Sequence, residues 1–268
     1  MVRRERVRAP GNDGASTATA VTTAAAAGCR SVCHILAEDP ALADAVPQAH
    51  REQAVQECIA EVLDVATGVW RDQVTSVIYD GIGLLVLRGL LIRRVGIDGR
   101  FGAEILGDGD VLRPWRGESE PPALAVTAGW QVLEPVRLAV LDMRAARRLA
   151  RYPELTGVLV GRALERSRNL AMHMAIVHQP RVDVRLHMLL WQLAGRWGRV
   201  RGDGISLPLR LTHTVLADLV AASRPTVTSA LSDLAALGLV RTVDATWLLS
   251  GEPPGELLEL RRVALAQP

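Results

Sequence analysis

Arg224, Pro225, Thr228, Ser229 and Ser232 recur at the three- and four-residue steps that gather side chains on one face of a helix. A merely solvated face would carry long Glu–Arg pairs. This one offers a single guanidinium and short hydroxyls, on a helix narrow enough to enter the major groove of DNA. A guanidinium that grips guanine O6 and N7 together gives ~1–3 kcal/mol of discrimination, and Ser and Thr read either base type or touch a thymine methyl. Ser223 stands where an N-cap is expected. Pro225 is tolerated in the first turn because its missing N–H would have no intrahelical partner. The helix N-terminus adds backbone N–H groups that suit a phosphate. The opposite stripe, Val227, Ala230, Leu231, Leu234 and Leu237, is apolar and expected to be buried. Upstream, Thr212 should cap a shorter helix that buries Val215, Leu216, Leu219 and Val220, with small Ala217 at the crossing and His213 placed for a phosphate contact. The candidate DNA-contacting set is therefore Thr212, His213, Ser223, Arg224, Pro225, Thr226, Thr228, Ser229 and Ser232.

Other reactive residues form no comparable pattern. The three cysteines, Cys29, Cys33 and Cys58, cannot build a full disulfide framework, which fits a reducing compartment. An iron–sulfur cluster needs four thiolates, and Cys58 reads as a small core residue. The histidines (34, 50, 173, 178, 187 and 213) share no metal-ligand spacing. No Ser–His–Asp order, H-E-x-x-H or Gly-rich nucleotide loop occurs, so the reading is not an enzyme, without cofactor or metal.

The elements that must position the reading face follow from composition and period. The chain has 268 residues, 49% hydrophobic and 22% charged, with a net charge of only +2, so any basic surface is local. Between Arg181 and Ser250, arginines at 181, 185, 196, 199, 201, 210, 224 and 241 face aspartates at 183, 203, 218, 233 and 244, a mild excess that permits DNA binding without demanding it. No run approaches the ~18 apolar residues of a membrane span. Arg3, Arg4, Arg6 and Arg8 before an Ala-rich stretch ending at Cys29 mimic a lipoprotein signal, but Val21 is the only strong apolar residue between them, so a cytoplasmic protein is expected.

Residues 1–28 are low-complexity, with disorder the default. From Cys29 to about Ala66 short helices are predicted, with Ala54, Cys58, Glu61 and Val62 at helical spacing. From Thr67 to Asp142 short strands are predicted at Leu84–Ile92, Ala103–Leu106, Leu124–Thr127, Trp130–Leu133 and Leu138–Leu141, with turns at Asp98-Gly99 and Gly107–Asp110, as in a small antiparallel barrel. Met143 to His178 returns to helical period. Val160, Ala163, Ser167, Leu170, Met174 and Val177 trace a two-helix seam, with an ordinary core-facing helix as the equal alternative. Pro180 marks a hinge over 178–182. Val184–Trp197 is amphipathic, Gly202–Leu211 a connector, and Leu239–Leu249 a hairpin about Asp244-Ala245.

This order resembles the CRP/FNR family of bacterial regulators. The resemblance rests on Leu211-Thr212, on Ser223-Arg224-Pro225-Thr226-Val227-Thr228 with Leu231 and Leu234, on Ile105-Leu106-Gly107-Asp108-Gly109-Asp110, and on Leu138–Asp142. It implies an α+β fold: an N-terminal β-roll like a cyclic-nucleotide-binding domain, a long dimerisation helix, and a C-terminal winged helix-turn-helix. The divisions are a tail at 1–28, lead-in and β-roll sensor at 29–142, dimerisation helix and hinge at 143–180, winged helix-turn-helix at 181–250, and a tail at 251–268. The family's base-contacting positions fall on Arg224, Pro225, Thr228 and Ser229. The second is often Glu and the last often Arg, so an operator unlike that of the best-known members is expected.

The sensor departs from the cyclic-nucleotide pattern. Asp110-Val111-Leu112 is followed by Arg113-Pro114-Trp115-Arg116, and the later segment reads Ala123-Leu124-Ala125-Val126, without the Glu for the ribose or the Arg–Ser pair for the phosphate. The expectation is a homodimer on double-stranded DNA, regulating transcription, with a sensor that takes no cyclic nucleotide. RNA polymerase is a partner the reading allows, and the membrane is not. The alternative is a small-molecule-binding β-roll whose helix-turn-helix serves protein interaction, kept open by Pro225 and Ser229.

Overall fold

The computed structural model describes residues 31–70, 81–97, 100–113, 126–243 and 246–255. The expected N-terminal tail with Cys29, the turns at Asp98-Gly99 and Asp244-Ala245, the segments Pro114–Arg116 and Ala123–Ala125, and most of the C-terminal tail lie outside the described residues.

Strand β1 (Val32–His34) leads into three short helices, α1 (Ile35–Glu38), α2 (Pro40–Ala43) and α3 (Gln48–Glu57). Asp39 separates the first two. Its carboxylate accepts from the Leu42 N–H at 3.0 Å, and Pro40 behind it starts a new helix with a preset φ. The helical expectation fails beyond Cys58. Residues Ile59–Val65 form strand β2, paired with β1 on one side and β7 on the other. Two-sided ladder pairing overrides a local spacing that fits either period.

The remaining strands of this sheet are β3 (Gly68–Trp70), β4 (Gly83–Ile97), β5 (Arg100–Leu106), β6 (Val111–Leu112) and β7 (Val126–Leu141), all antiparallel, in the order β1-β2-β7-β4-β5 with β3 on β7 and β6 on β4. The two runs expected at Trp130–Leu133 and Leu138–Leu141 are one strand, despite Pro135 between them. The partner strand accommodates the proline. The β4–β7 register shifts across Arg88–Leu90, opposite Pro135, and Gly89 sits at φ +103, where a Cβ would lie 2.2 Å from the Pro135 carbonyl oxygen. The roll interior is filled by large apolar side chains, Leu84, Val86, Leu91, Leu106 and Leu112 among them, and by Trp70 and Trp130, edge to face with centroids 5.8 Å apart.

The expected Met143–His178 helix is two helices, α4 (Met143–Leu149) and α5 (Pro153–Val177). Asp142 caps α4 by accepting from the Ala145 N–H at 2.8 Å. Pro153 has no N–H for the Leu149 carbonyl and its ring would clash there, so the chain turns through 150–152 and restarts with Pro153 in the first turn. After a four-residue link comes α6 (Val182–Trp197). The presumed connector after it holds a hairpin of β8 (Arg199–Arg201) and β9 (Gly204–Leu207). Helices α7 (His213–Leu219) and α8 (Arg224–Ala236) and strands β10 (Val240–Val243) and β11 (Thr246–Leu249) complete the fold, with a second sheet in the order β10-β11-β9-β8. The apolar core of this last unit continues into the outer side of the roll through Leu90, Ile92 and Ala103.

Candidate nucleic-acid interface

Helices α7 and α8 are joined by a turn whose geometry is closed by backbone alone. The Ala222 N–H donates to the Ala217 carbonyl at 3.0 Å, a helix-ending pattern that requires the intervening residue to be left-handed. That residue is Ala221, at φ +50. The end of α8 uses the same device with Gly238 at φ +71 and Leu239 donating to the Leu234 carbonyl at 3.0 Å. Both expected caps are made: the Thr212 hydroxyl accepts from the Val215 N–H at 3.2 Å and the Ser223 hydroxyl from the Thr226 N–H at 3.3 Å.

The inner faces are buried as expected at Val215, Leu216, Ala217, Leu219 and Val220, and at Val227, Ala230, Leu231 and Leu234. Leu237 is the exception. It is the C-cap of α8, past the last buried turn, and is 70% exposed. Arg224, Pro225, Thr226, Thr228, Ser229 and Ser232 all lie on the exposed side of α8, with Ser223 at its head and Thr212 exposed before α7. Among the described residues no carboxylate pairs with Arg224.

A contact invisible in the sequence joins the two helices. His213 Nδ1 lies 2.9 Å from the Thr228 hydroxyl, which also donates to the Arg224 carbonyl at 3.1 Å. One hydroxyl hydrogen satisfies both contacts only if Nδ1 carries a proton and Thr228 accepts from it. The Ser232 hydroxyl donates to the Thr228 carbonyl at 3.1 Å. Thr228 therefore presents its methyl outward more readily than a free donor. Arg224 and Ser229 keep theirs.

The platform behind α7 is fixed from three directions. Arg94 on β4 pairs with Asp218 at 2.6 Å and donates to Gln131 at 2.7 Å. His173 on α5 meets the Leu219 carbonyl at 2.8 Å, and burial there holds its imidazole below the ordinary value of 6.5. Arg185 donates to the Val220 carbonyl at 3.1 Å. The side of α8 that faces away from this platform is uncovered.

Along α5, the inward residues are Leu155, Leu159 and Ile176. The seam residues Val160, Ala163, Ser167, Leu170 and Met174 are all exposed and Val177 is half-buried, so this is not a core-facing stripe of its own chain. The exposed stripe is centred one step away from the expected register. Leu164 is 54% exposed beside Val160 at 52% and Met174 at 63%, whereas Leu170 at 36% lies on its edge. Gly157 and Gly161 flank it with open space above them.

Burial pushes the Cys33 and Cys58 thiols up to about 11, so neither is a ready thiolate. Among the described residues no group of three His, Cys, Asp or Glu could hold a metal ion. His187 accepts from the Trp191 indole at 3.0 Å. His34 and His50 are exposed on the lead-in elements, and His178 caps α5. Asp110, in the turn expected to cradle a ligand, is buried and committed elsewhere: it accepts from the Gly107 N–H at 2.9 Å and pairs with Arg196 at 2.9 Å. Among the described residues no helix is long and apolar enough to cross a membrane.

Residues 184–252 match the Crp-like helix-turn-helix domain. A CRP-like cAMP-activated global transcriptional regulator of Mycobacterium tuberculosis (strain ATCC 25618 / H37Rv) is 32% identical over 125 residues, 46% of this chain and 56% of that protein. The chain thus matches little more than half the length of that relative. Among solved structures, a cyclic nucleotide-binding domain containing protein from Listeria monocytogenes EGD-e superposes with a TM-score of 0.57 at 14% identity, over 70% of this chain and 87% of that one. A CooA mutant from Carboxydothermus hydrogenoformans gives 0.54 at 18% identity, over 75% of this chain and 86% of that one. Residues 184–252 of this chain are a Crp-like helix-turn-helix domain, and the likeness to a CRP-like regulator covers 46% of the chain. The structural likenesses, at these identities, speak for the fold, and they place the family's β-roll before α5 and its helix-turn-helix after it. The features that sequence reasoning missed are Leu164, whose exposure shows only once the phase of α5 is fixed, and the His213–Thr228 contact, which spans two helices.

Proposed function

We propose that this chain is a homodimeric, sequence-specific DNA-binding regulator of transcription of the CRP/FNR type, with α8 as its major-groove reader. The observation that carries the reading is the asymmetry of α8. One side is packed into the core beneath α7, and the other presents Arg224, Thr228, Ser229 and Ser232 exposed, with His213 of α7 reaching Thr228. Arg224 sits in the first turn, where a groove-bound helix meets base edges, and the backbone N–H groups at the head of α8 that the Ser223 cap leaves free suit a phosphate. Thr212 and His213, at the head of α7, stand where the first helix crosses the DNA backbone.

The dimer forms through α5, along the exposed stripe of Val160, Leu164, Ser167 and Met174 with the edge residues Ala163, Leu170 and Val177. Residues 29–142 are the sensing unit, 181–250 the reading unit, and the link at 178–181 the pivot between them. The tuberculosis relative is cAMP-activated, but the roll here does not fit a cyclic nucleotide. Trp70 and Trp130 fill its interior, Asp110 is bound to Arg196, and Arg113 follows the turn where the ribose-binding Glu would stand.

Selection of bound duplexes from a random pool tests the reading. The expected result is a palindrome with half-site centres ~34 Å apart and binding that weakens steeply with salt. Failure to enrich any duplex at low ionic strength contradicts it. Calorimetry with cAMP should give no saturable heat.

A further inference from the structure

A cleft of about 860 Å³ opens between the Gly107–Asp110 turn, the middle of α5 and the second half of α6. It lies outside the roll interior and within the ~300–1,000 Å³ typical of small-molecule sites. Ile105, Met172, Leu193 and Trp197 line its apolar part, and Trp197 is braced against Gly107. Its polar part contains an unmet demand. Gln192 spends its Nε2 on the Asn169 carbonyl at 2.9 Å, while its Oε1 is buried and accepts nothing among the described residues. Such an orphaned acceptor is unfavourable, and a ligand N–H or O–H would relieve it.

The charges select the ligand further. Each arginine at the cleft is already answered: Arg162 by Asp39 at 2.9 Å, Arg166 by Glu104 at 2.6 and 3.1 Å, and Arg196 by Asp110 at 2.9 Å. Glu165 and Glu252 also line it, both exposed, and no ion pair engages either among the described residues. Burial raises the pKa of the nearby Asp108 carboxyl, so Asp108 is a weaker anion than Glu165 and Glu252. With the three lining arginines paired, the exposed carboxylates of Glu165 and Glu252 favour a cation over an anion.

We propose that this cleft is a binding site for a small organic cation with an aromatic body, which donates a hydrogen bond to Gln192 and lies against Trp197. On α5 the cleft side is carried by Arg166 and Asn169 and the exposed stripe by Val160, Leu164 and Met174, with Leu170 bordering both, so the cleft lies beside the proposed dimer seam. Because its walls come from the roll, the long helix and the DNA-binding unit together, an occupant would tie the three in one arrangement.

The test uses the full chain without DNA and three matched probes, tryptamine, indole and indole-3-propionate, followed by saturation-transfer NMR and calorimetry. Tryptamine should bind more tightly than indole, and indole-3-propionate most weakly. Gln192→Leu should weaken tryptamine roughly tenfold. The surface double variant Glu165→Arg with Glu252→Arg should weaken it roughly fivefold or more and favour the propionate, with circular dichroism and DNA binding unchanged. Equal or tighter binding of the propionate to the wild type, or indifference of tryptamine to both variants, overturns the proposal. Since DNA binding is read separately, that failure is distinct from failure of the regulator reading.

Discussion

The outer face of α8 and the inner face of α5 treat charge in opposite ways. On α5, Arg162 and Arg166 point into the molecule and are each met by a carboxylate, Asp39 or Glu104, that is itself largely buried. On α8, Arg224 points out and meets no carboxylate among the described residues. The first arrangement uses guanidinium groups to hold the β-roll and its lead-in against the long helix. The second leaves one free for a partner outside the chain. The two faces teach that arginine content alone says little here, and that what decides is whether a carboxylate stands opposite.

The comparison breaks first at the exposed stripe of α5. Leu164→Glu should split the dimer in sedimentation and lower affinity for the palindrome by roughly a hundredfold or more, since two linked half-sites become one. A variant that stays dimeric would move the seam elsewhere. Next in size is Arg162→Ala, which leaves Asp39 buried without its partner. Urea unfolding should show a loss of about 3 kcal/mol, and a loss below about 1 kcal/mol would mean that Asp39 is satisfied by its cap on α2 alone. Smaller effects sharpen the helix-turn-helix itself. Ser223→Ala should cost about 1 kcal/mol through the lost cap. Ala221→Gly should stabilise by about 0.5–1 kcal/mol, because it relieves a left-handed residue with a Cβ at the cost of extra backbone freedom.

The smallest effect is that of pH. His173 is held below its ordinary 6.5 by burial at the α5–α7 contact. The unfolded chain therefore takes up this proton first. Its contribution is fully present above pH 6.5 and is lost as the pH falls through that value towards the lower folded one. His173→Gln should flatten that part of the stability profile.

Much of the reading half was legible because its signals are local. Thr212 and Ser223 cap within three residues, and the apolar stripes of α7 and α8 follow from helical period. The places where the sequence misled are those where a distant partner decides. Ile59–Val65 spaces its apolar residues as a helix would, and becomes a strand because β1 and β7 offer ladders on both sides. Pro135 looks like a boundary, yet β7 runs through it because Gly89 lets the neighbouring strand bulge. Leu237 has the right spacing for the core but falls at the helix end. The centre of the exposed stripe on α5, near Leu164, depends on how Leu155, Leu159 and Ile176 dock inward. None of the ion pairs across the cleft is local in sequence.

The central claim, that the outer face of α8 reads base edges, is tested most directly by Arg224→Ala against two duplexes of equal length, the selected palindrome and a scrambled one. The account predicts a loss of about 1–3 kcal/mol per half-site on the palindrome and little change on the scrambled duplex. Equal losses on both would contradict it, since a residue that touches only phosphate weakens all sequences alike.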